Sequence, residues 1–145
     1  MTEDEKFVAE FEACRWPLEQ WHHKEHIKLA YLYLRRHPFD EAMAKMREAL
    51  KKYIVFHGVP DEPMRGYHET MTQGWMRLVY FTMCEYGPAE SAEAFYERSP
   101  QLSQKKALRL FYSAELCAAA RGKTEYVEPD LTAFPRSRKK MPPLI

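Results

Sequence analysis

Three of the six histidines lie within the stretch "EQWHHKEHIKLAYLYL", residues 19–34, immediately before an apolar run. Neutral imidazoles are common ligands of divalent transition metals, and they also donate and accept protons near neutral pH. His22 and His26 are four positions apart, the spacing that places two helical ligands on one face. The stretch therefore predicts either a metal site or an acid/base site.

A second motif with the same chemistry lies in "GYHETMTQGW", residues 66–75. His68 would supply a third ring nitrogen at the start of another helix. Glu69 would act as a base or as an acceptor that orients a ligand. Tyr67 and Thr72 would be hydrogen-bonding neighbours of the reacting group.

Helical geometry places these histidines on faces that should be buried. If His22 is set to zero, His26 lies at about 40° and His23 at about 100° on the wheel. The apolar side chains of this helix fall on the same side, and its lysines, arginines and Glu25 fall on the opposite side. His68 likewise begins an apolar stripe of its helix, formed by Thr72, Trp75, Val79, Met83 and Tyr86.

The elements that must position these residues are all predicted to be helical, because long stretches lack both Gly and Pro. Thr2 and Glu5 form a capping box that opens the first helix. The predicted helices cover residues 3–14, 21–36, 38–58, 68–86, 89–98 and 99–117. The fold class is therefore an all-α, single-domain bundle of about six helices over residues 1–118. Residues 119–145, rich in Pro and basic side chains, are predicted to be an extended arm or loose tail.

Topology then brings the two motifs together. Helices joined by short connections normally pack antiparallel. The N-terminal ends of the second and fourth helices should thus share one end of the bundle, where His57 closes the third helix. We expect the candidate site at this end.

The main hypothesis is a small metal-dependent enzyme, or a metal-dependent binder, that acts on a small molecule. His22, His26 and His68 would hold one ion with an open position for water or substrate, and His23 or Glu69 would be a fourth ligand or contact a ligand. The ion would be Zn, Fe, Mn or Ni. Both a hydrolytic and an oxygenase-like reaction fit nitrogen-rich ligation.

Two other interpretations remain open. The histidines could form a metal-free acid/base or ligand site. Alternatively, they could cap helices or bond to tyrosines in a non-catalytic ligand- or partner-binding bundle. The chain has no Gly-rich phosphate loop, no Cys-x-x-Cys and no nucleophile elbow, which argues against dinucleotide and ATP chemistry.

Composition limits the partners and the compartment. The chain has 22 basic and 21 acidic side chains, a formal net charge of +1, so general nucleic-acid binding is not indicated. The basic run "RSRKK" could contact nucleic acid or a partner, although a solvated tail is the favoured interpretation. Nucleic-acid binding there predicts that deletion of residues 133–145 abolishes a salt-sensitive interaction. Three well-separated cysteines and an acidic start without a secretion signal predict a cytoplasmic protein with reduced thiols and no membrane insertion.

Five stretches also carry a resemblance to a group of small bacterial helical proteins: "WHHKEHIKLAYLYLRRHP", "FHGVP", "GYHETMTQGW", "LRLFYSAELC" and "YVEPDL". Members resemble this chain in a double-His helix start and a Tyr-His-Glu-Thr segment that opens another helix. The similarity covers most of residues 7–131. It implies that His22, His23, His26, Tyr67, His68, Glu69 and Thr72 occupy the group's characteristic positions, and it implies no particular activity.

Overall fold

The fold is built from helices and contains no β-strand, as the computed structural model of residues 1–145 shows. Seven α-helices follow one another: α1 (Glu3–Glu12), α2 (His23–Arg36), α3 (Phe39–Phe56), α4 (Glu69–Tyr86), α5 (Ala92–Arg98), α6 (Ala114–Ala118) and α7 (Ala120–Thr124). Three 3-10 helices cover Leu18–Gln20, Pro100–Ser103 and Ala107–Leu110. The predicted all-α class is confirmed, although the helices number seven rather than about six.

The start of α1 follows from its capping residue. The backbone N–H of Glu5 donates to Oγ1 of Thr2 at 3.1 Å, which satisfies one of the free donors of the first turn. The buried side chains of α1 are Phe7, Val8 and Phe11, so its apolar stripe faces the core. Thr2 is therefore confirmed as the N-cap, whereas the return bond from Thr2 N–H to the Glu5 side chain that a capping box requires is not made.

Helix α2 is the central element of the bundle. Its six consecutive residues Leu29–Leu34 are all buried, and it contacts α1, α3, α4 and α5. A stretch of helix that is buried around its whole circumference lies inside the core rather than on its surface. This central position fixes the first turn of α2, and with it His26, against the neighbouring helices.

The predicted sixth helix, residues 99–117, is wrong as a single element. Two 3-10 turns and the short helix α6 replace it. Ser103 Oγ donates to the carbonyl of Pro100 at 2.6 Å, and Ser113 Oγ accepts from Leu116 N–H at 3.2 Å. Serine side chains that bond locally to the backbone favour turns and new helix starts over a continuous helix.

The last part of the chain packs along the bundle. Helix α7 lies inside the segment predicted to be an extended arm, and no helix follows it. Beyond α7, the backbone N–H of Val127 donates to Thr70 Oγ1 at 3.1 Å, and that of Ile145 donates to the carbonyl of Arg35 at 2.9 Å. We call residues 126–145 the C-terminal arm.

No helix of the structure combines the length and the apolar character that crossing a lipid bilayer would require.

Candidate ligand-binding site

A cavity of about 260 Å³ lies at the end of the bundle where the first turns of α2 and α4 meet the last turns of α3. We call it the His26 cavity. Its aromatic walls are Trp21, Tyr67 and Trp75, and its other apolar walls include Leu50, Ile54 and Met71. The polar side chains on its lining are His26, His68, Thr72, Arg65 and Lys123. The two sequence motifs thus meet at one cavity.

Among the buried polar atoms that line this cavity, Nε2 of His26 has incomplete hydrogen bonding. This nitrogen has no hydrogen-bond partner in the protein. Burial, assisted by the neighbouring His23, lowers the pKa of His26 to about 4. The ring is therefore neutral at pH 7, and a buried nitrogen without a partner is costly unless a ligand or water satisfies it.

His68 has no free nitrogen. Its Nδ1 accepts from the backbone N–H of Met71 at 3.1 Å, which makes it the N-cap of α4. Its Nε2 donates to the carbonyl of Cys117 at 3.0 Å. Burial is the main cause that lowers the pKa of His68. These two bonds select the neutral tautomer with the proton on Nε2 and leave no lone pair for a metal ion.

The other two histidines of the first motif point to different surroundings. His23 Nε2 donates to the carbonyl of Leu102 at 2.7 Å, and its ring lies edge-on to Trp75. Burial lowers the pKa of His23 as well. His22 is exposed, and its backbone N–H donates to Glu25 Oε1 at 3.0 Å. Neither side chain lines the His26 cavity.

Glu69 is held by three neighbouring side chains. Arg47 donates to both carboxylate oxygens, from Nε at 2.9 Å and from Nη2 at 2.8 Å. Tyr67 Oη donates at 2.6 Å and Gln73 Nε2 at 2.7 Å. The bond from Arg47 is the main cause that lowers the pKa of Glu69 to about 2. A carboxylate stabilised in this way is a weak proton acceptor at neutral pH.

Tyr67 and Thr72 both line the His26 cavity, as a role beside a bound molecule would require. The hydroxyl of Tyr67 donates to Glu69, and burial raises the pKa of this phenol. Thr72 is buried on the first turns of α4. These two residues contribute aromatic surface and a hydroxyl to the cavity. Glu69 does not line it and contacts it only through Tyr67.

Helix α7 closes one side of the cavity by packing on the start of α4. A Cβ added at Gly122 would lie 3.2 Å from Thr70 Oγ1, so only glycine allows this close approach without a shift. The Nζ of Lys123 donates to the carbonyls of Arg65 at 2.7 Å and Tyr67 at 2.8 Å. These bonds hold the loop before α4 against α7 and give the cavity its second wall.

The predicted ligand set is not brought together. No group of three or more His, Cys, Asp or Glu side chains is arranged to hold a metal ion. His22, His23, His26 and His68 share the predicted end of the bundle, but capping and local carbonyls use the nitrogens of His68 and one nitrogen of His23. His57 donates from Nε2 to the carbonyl of Cys14 at 3.2 Å and does not line the cavity.

Sequence reasoning missed Arg47 and Gln73, the partners of Glu69. A signal exists for Gln73, because it lies four residues after Glu69 on the same helix. Arg47 lies between Met43 and Leu50 on the apolar stripe of α3, which indicates partial burial but names no partner. No sequence pattern predicted that α7 would contribute to the cavity, because this depends on its close contact with α4, which is distant in sequence.

No protein-family model matches the chain, and no curated protein or solved structure shows significant similarity to it. The resemblance to the bacterial group therefore stays a prediction. The fold and the site define this chain as an all-α protein whose paired histidine motifs meet at a small, partly apolar cavity that contains a neutral histidine.

Proposed function

We propose that the protein binds a small, mostly apolar molecule in the His26 cavity and that His26 Nε2 makes the orienting hydrogen bond. The observation that carries this proposal is the buried Nε2 without a partner on the wall of a cavity. Ligand sites typically combine apolar and aromatic walls with a few polar groups that fix orientation. The His26 cavity has this composition.

The size of the cavity limits the ligand. A volume of about 260 Å³ is slightly below the range of drug-sized sites, which begins at about 300 Å³. One or two fused rings fill such a space. The walls of Trp21 and Trp75 favour a flat ring, because aromatic pairs gain energy from stacked and edge-to-face arrangements.

The protonation state of His26 defines the ligand's polar group. With a pKa of about 4, the ring is neutral at physiological pH and offers one hydrogen bond rather than a charge. A ligand with an N–H or O–H group fits if Nε2 carries the lone pair, and a ring acceptor fits if Nε2 carries the proton. A charged ligand would gain no ion pair at His26 itself. The cations on the lining are Arg65 and Lys123, and Lys123 is already paired with Asp61 at 3.1 Å.

The test uses three bicyclic probes of similar size: indole as a donor, isoquinoline as an acceptor and indene as a hydrocarbon. Binding is followed at pH 7.5 by NMR of the methyl group of Met71, which lines the cavity. We expect one of the polar probes to bind about tenfold more tightly than indene, because a buried group built to bond discriminates against an analogue without it.

The matched variants are His26→Leu and His37→Leu. His37 follows the C-terminal end of α2 and does not line the cavity. His26→Leu should abolish the preference for the polar probe and leave indene binding unchanged, whereas His37→Leu should change neither. Equal binding of all three probes, or no binding of any, would overturn the proposal.

The metal-dependent reaction predicted from the sequence stays a prediction, with a separate test. It would require His68 to give up its bond to Met71 or to Cys117 so that a ring nitrogen could meet His22 and His26 at one ion. Metal analysis of untagged protein purified without chelator, and melting temperatures with Zn, Fe, Mn and Ni, measure this directly. Stoichiometric metal that is lost in His26→Ala would support it.

A further inference from the structure

A second and larger cavity lies on the side of the bundle, away from the His26 cavity. It has a volume of about 640 Å³ and is bounded by α4 and the C-terminal arm. We call it the arm cleft. Its apolar surface comes largely from aromatic rings, among them Phe39, Tyr80, Tyr126 and Phe134. A volume in this range accommodates a drug-sized ligand.

Arg77 lies in the arm cleft in a fixed position. Its guanidinium carbon is 4.7 Å from the ring centre of Tyr126 and 5.4 Å from that of Phe39. Arginine stacks on aromatic rings because its planar charge is weakly hydrated and interacts with the π-face. The two rings therefore hold the guanidinium in place before any ligand arrives.

The hydrogen bonding of Arg77 is incomplete. Its Nε is buried without a partner, and its Nη2 makes one long bond of 3.4 Å to Gln73 Oε1. No carboxylate forms an ion pair with it, although Glu128 lines the same cleft. A partly buried guanidinium usually pairs with an anion, since desolvated charge without a counter-charge is costly.

Positive charges outnumber negative ones around the cleft. Arg136, Lys139 and Lys140 of the arm line it together with Arg77, against the one carboxylate of Glu128. Arg136 and Lys140 are exposed and form no ion pair, whereas Lys139 pairs with the Glu85 carboxylate at 3.9 Å and donates to the carbonyl of Glu85 at 3.1 Å. The cleft thus has an aromatic interior, a positioned guanidinium and a positive rim.

We propose that the arm cleft binds a small aromatic anion, with its flat body against the rings and its carboxylate, sulfonate or phosphate group at Arg77. The basic residues of "RSRKK" then serve a defined pocket rather than a diffuse tail. The motif contains basic residues of both kinds: Arg136 lines the cleft, and Arg138, two residues later, does not. Comparing the two separates binding in the cleft from general attraction to the basic segment.

The experiment is a fluorescence titration of the full chain with 1-anilinonaphthalene-8-sulfonate, beside N-phenyl-1-naphthylamine, which has the same rings without the sulfonate. We expect one saturable site per chain and about tenfold tighter binding of the anion, the factor that one charge-assisted hydrogen bond supplies. Equal affinity for both probes would overturn the proposal.

Three variants locate the site. Arg77→Met should weaken sulfonate binding about tenfold, and Arg136→Gln should weaken it several-fold by removing attraction at the rim. Arg138→Gln is the matched control, with the same loss of charge in the same exposed segment, and should leave affinity within about twofold. The exposed arm variants keep the test decisive if Arg77→Met does not fold.

A direct readout separates binding at Arg77 from a structural role. The side-chain N–H resonance of Arg77 Nε should shift on addition of the sulfonate probe in the wild-type protein. If Arg138→Gln weakens binding as much as Arg136→Gln and that resonance does not move, the attraction is diffuse and the proposal is wrong. If, in addition, a single-stranded oligonucleotide binds more tightly than the sulfonate probe and the two arm variants weaken it equally, the segment is a nucleic-acid surface instead.

Discussion

The first turn of α2 and the first turn of α4 carry the same kinds of residue and use them in opposite ways. At α4, His68 bonds through both ring nitrogens and Glu69 is held by Arg47, Tyr67 and Gln73. At α2, the Nε2 of His26 is buried and has no partner. Polar groups whose hydrogen bonds are complete stabilise the fold, and the group with an unsatisfied nitrogen is the one available to a ligand.

The contrast also explains why similar spacing did not produce a shared metal site. A helix start leaves backbone N–H groups without partners, and a histidine at the N-cap can satisfy one of them. His68 occupies that position. His26 lies one turn into its helix, where the backbone N–H groups already donate to carbonyls of the preceding turn. For His68 and His26, the position relative to the cap therefore accounts for which ring nitrogen stays free.

The largest change in stability should come from the start of α4, where the polar groups are fully bonded, at the pair of Arg47 and Glu69. Arg47→Met leaves a carboxylate that is mostly buried without its counter-charge, so the free energy of unfolding should fall by about 3 kcal/mol. Lys45→Met, an exposed lysine on the same helix, should change it by less than about 0.5 kcal/mol. Urea unfolding at pH 7.5 measures both, and equal values would contradict the role given to this pair.

The next effect is a pH dependence that belongs to His26. Its pKa falls from 6.5 to about 4 on folding, so the unfolded chain binds the proton first as pH falls. The free energy of unfolding is therefore undiminished above pH 6.5 and decreases through the window from pH 6.5 to about 4, by about 3 kcal/mol in total.

Comparison with His26→Leu isolates this contribution. The stability of wild type relative to the variant should fall across that window and level off below it. Glu69, with its pKa lowered to about 2, contributes stability that is lost only at lower pH, from about 4.5 downward, in both proteins. A difference between wild type and variant that is constant from pH 8 to pH 4 would show that His26 titrates normally.

A smaller loss is expected when His68 is replaced. His68→Leu removes the cap on Met71 N–H and leaves the carbonyl of Cys117 without its donor, a combined cost of about 2 kcal/mol. His68→Asn can still cap α4 but has no ring nitrogen for Cys117, so it should recover about half of that loss. Failure of the asparagine variant to recover any stability would contradict the capping role.

The parts of this comparison that sequence could predict are the local ones. The cap at Thr2, the approximate bounds of α2 to α4 and the end of the bundle at which the motifs meet all depend on nearby residues. The partners of His68 and Glu69 could not be predicted, because a backbone carbonyl at Cys117 has no side-chain signature and Arg47 is one of many arginines. The predicted sixth helix fails for a local and a distant reason, because Ser103 and Ser113 bond to nearby backbone and Ser113 also bonds to Asp130 of the arm.

The smallest change in the free energy of unfolding is expected at the start of α2, at His26. At pH 8, His26→Leu replaces an unpartnered buried nitrogen by an apolar group of similar size, so the free energy of unfolding should change by less than about 1 kcal/mol. The same substitution at His68 costs more because completed bonds are broken there. If His26→Leu were as damaging as His68→Leu, His26 Nε2 would have a partner such as a bound water. The nitrogen would then be structural, and a ligand would have to displace that partner before it could bind.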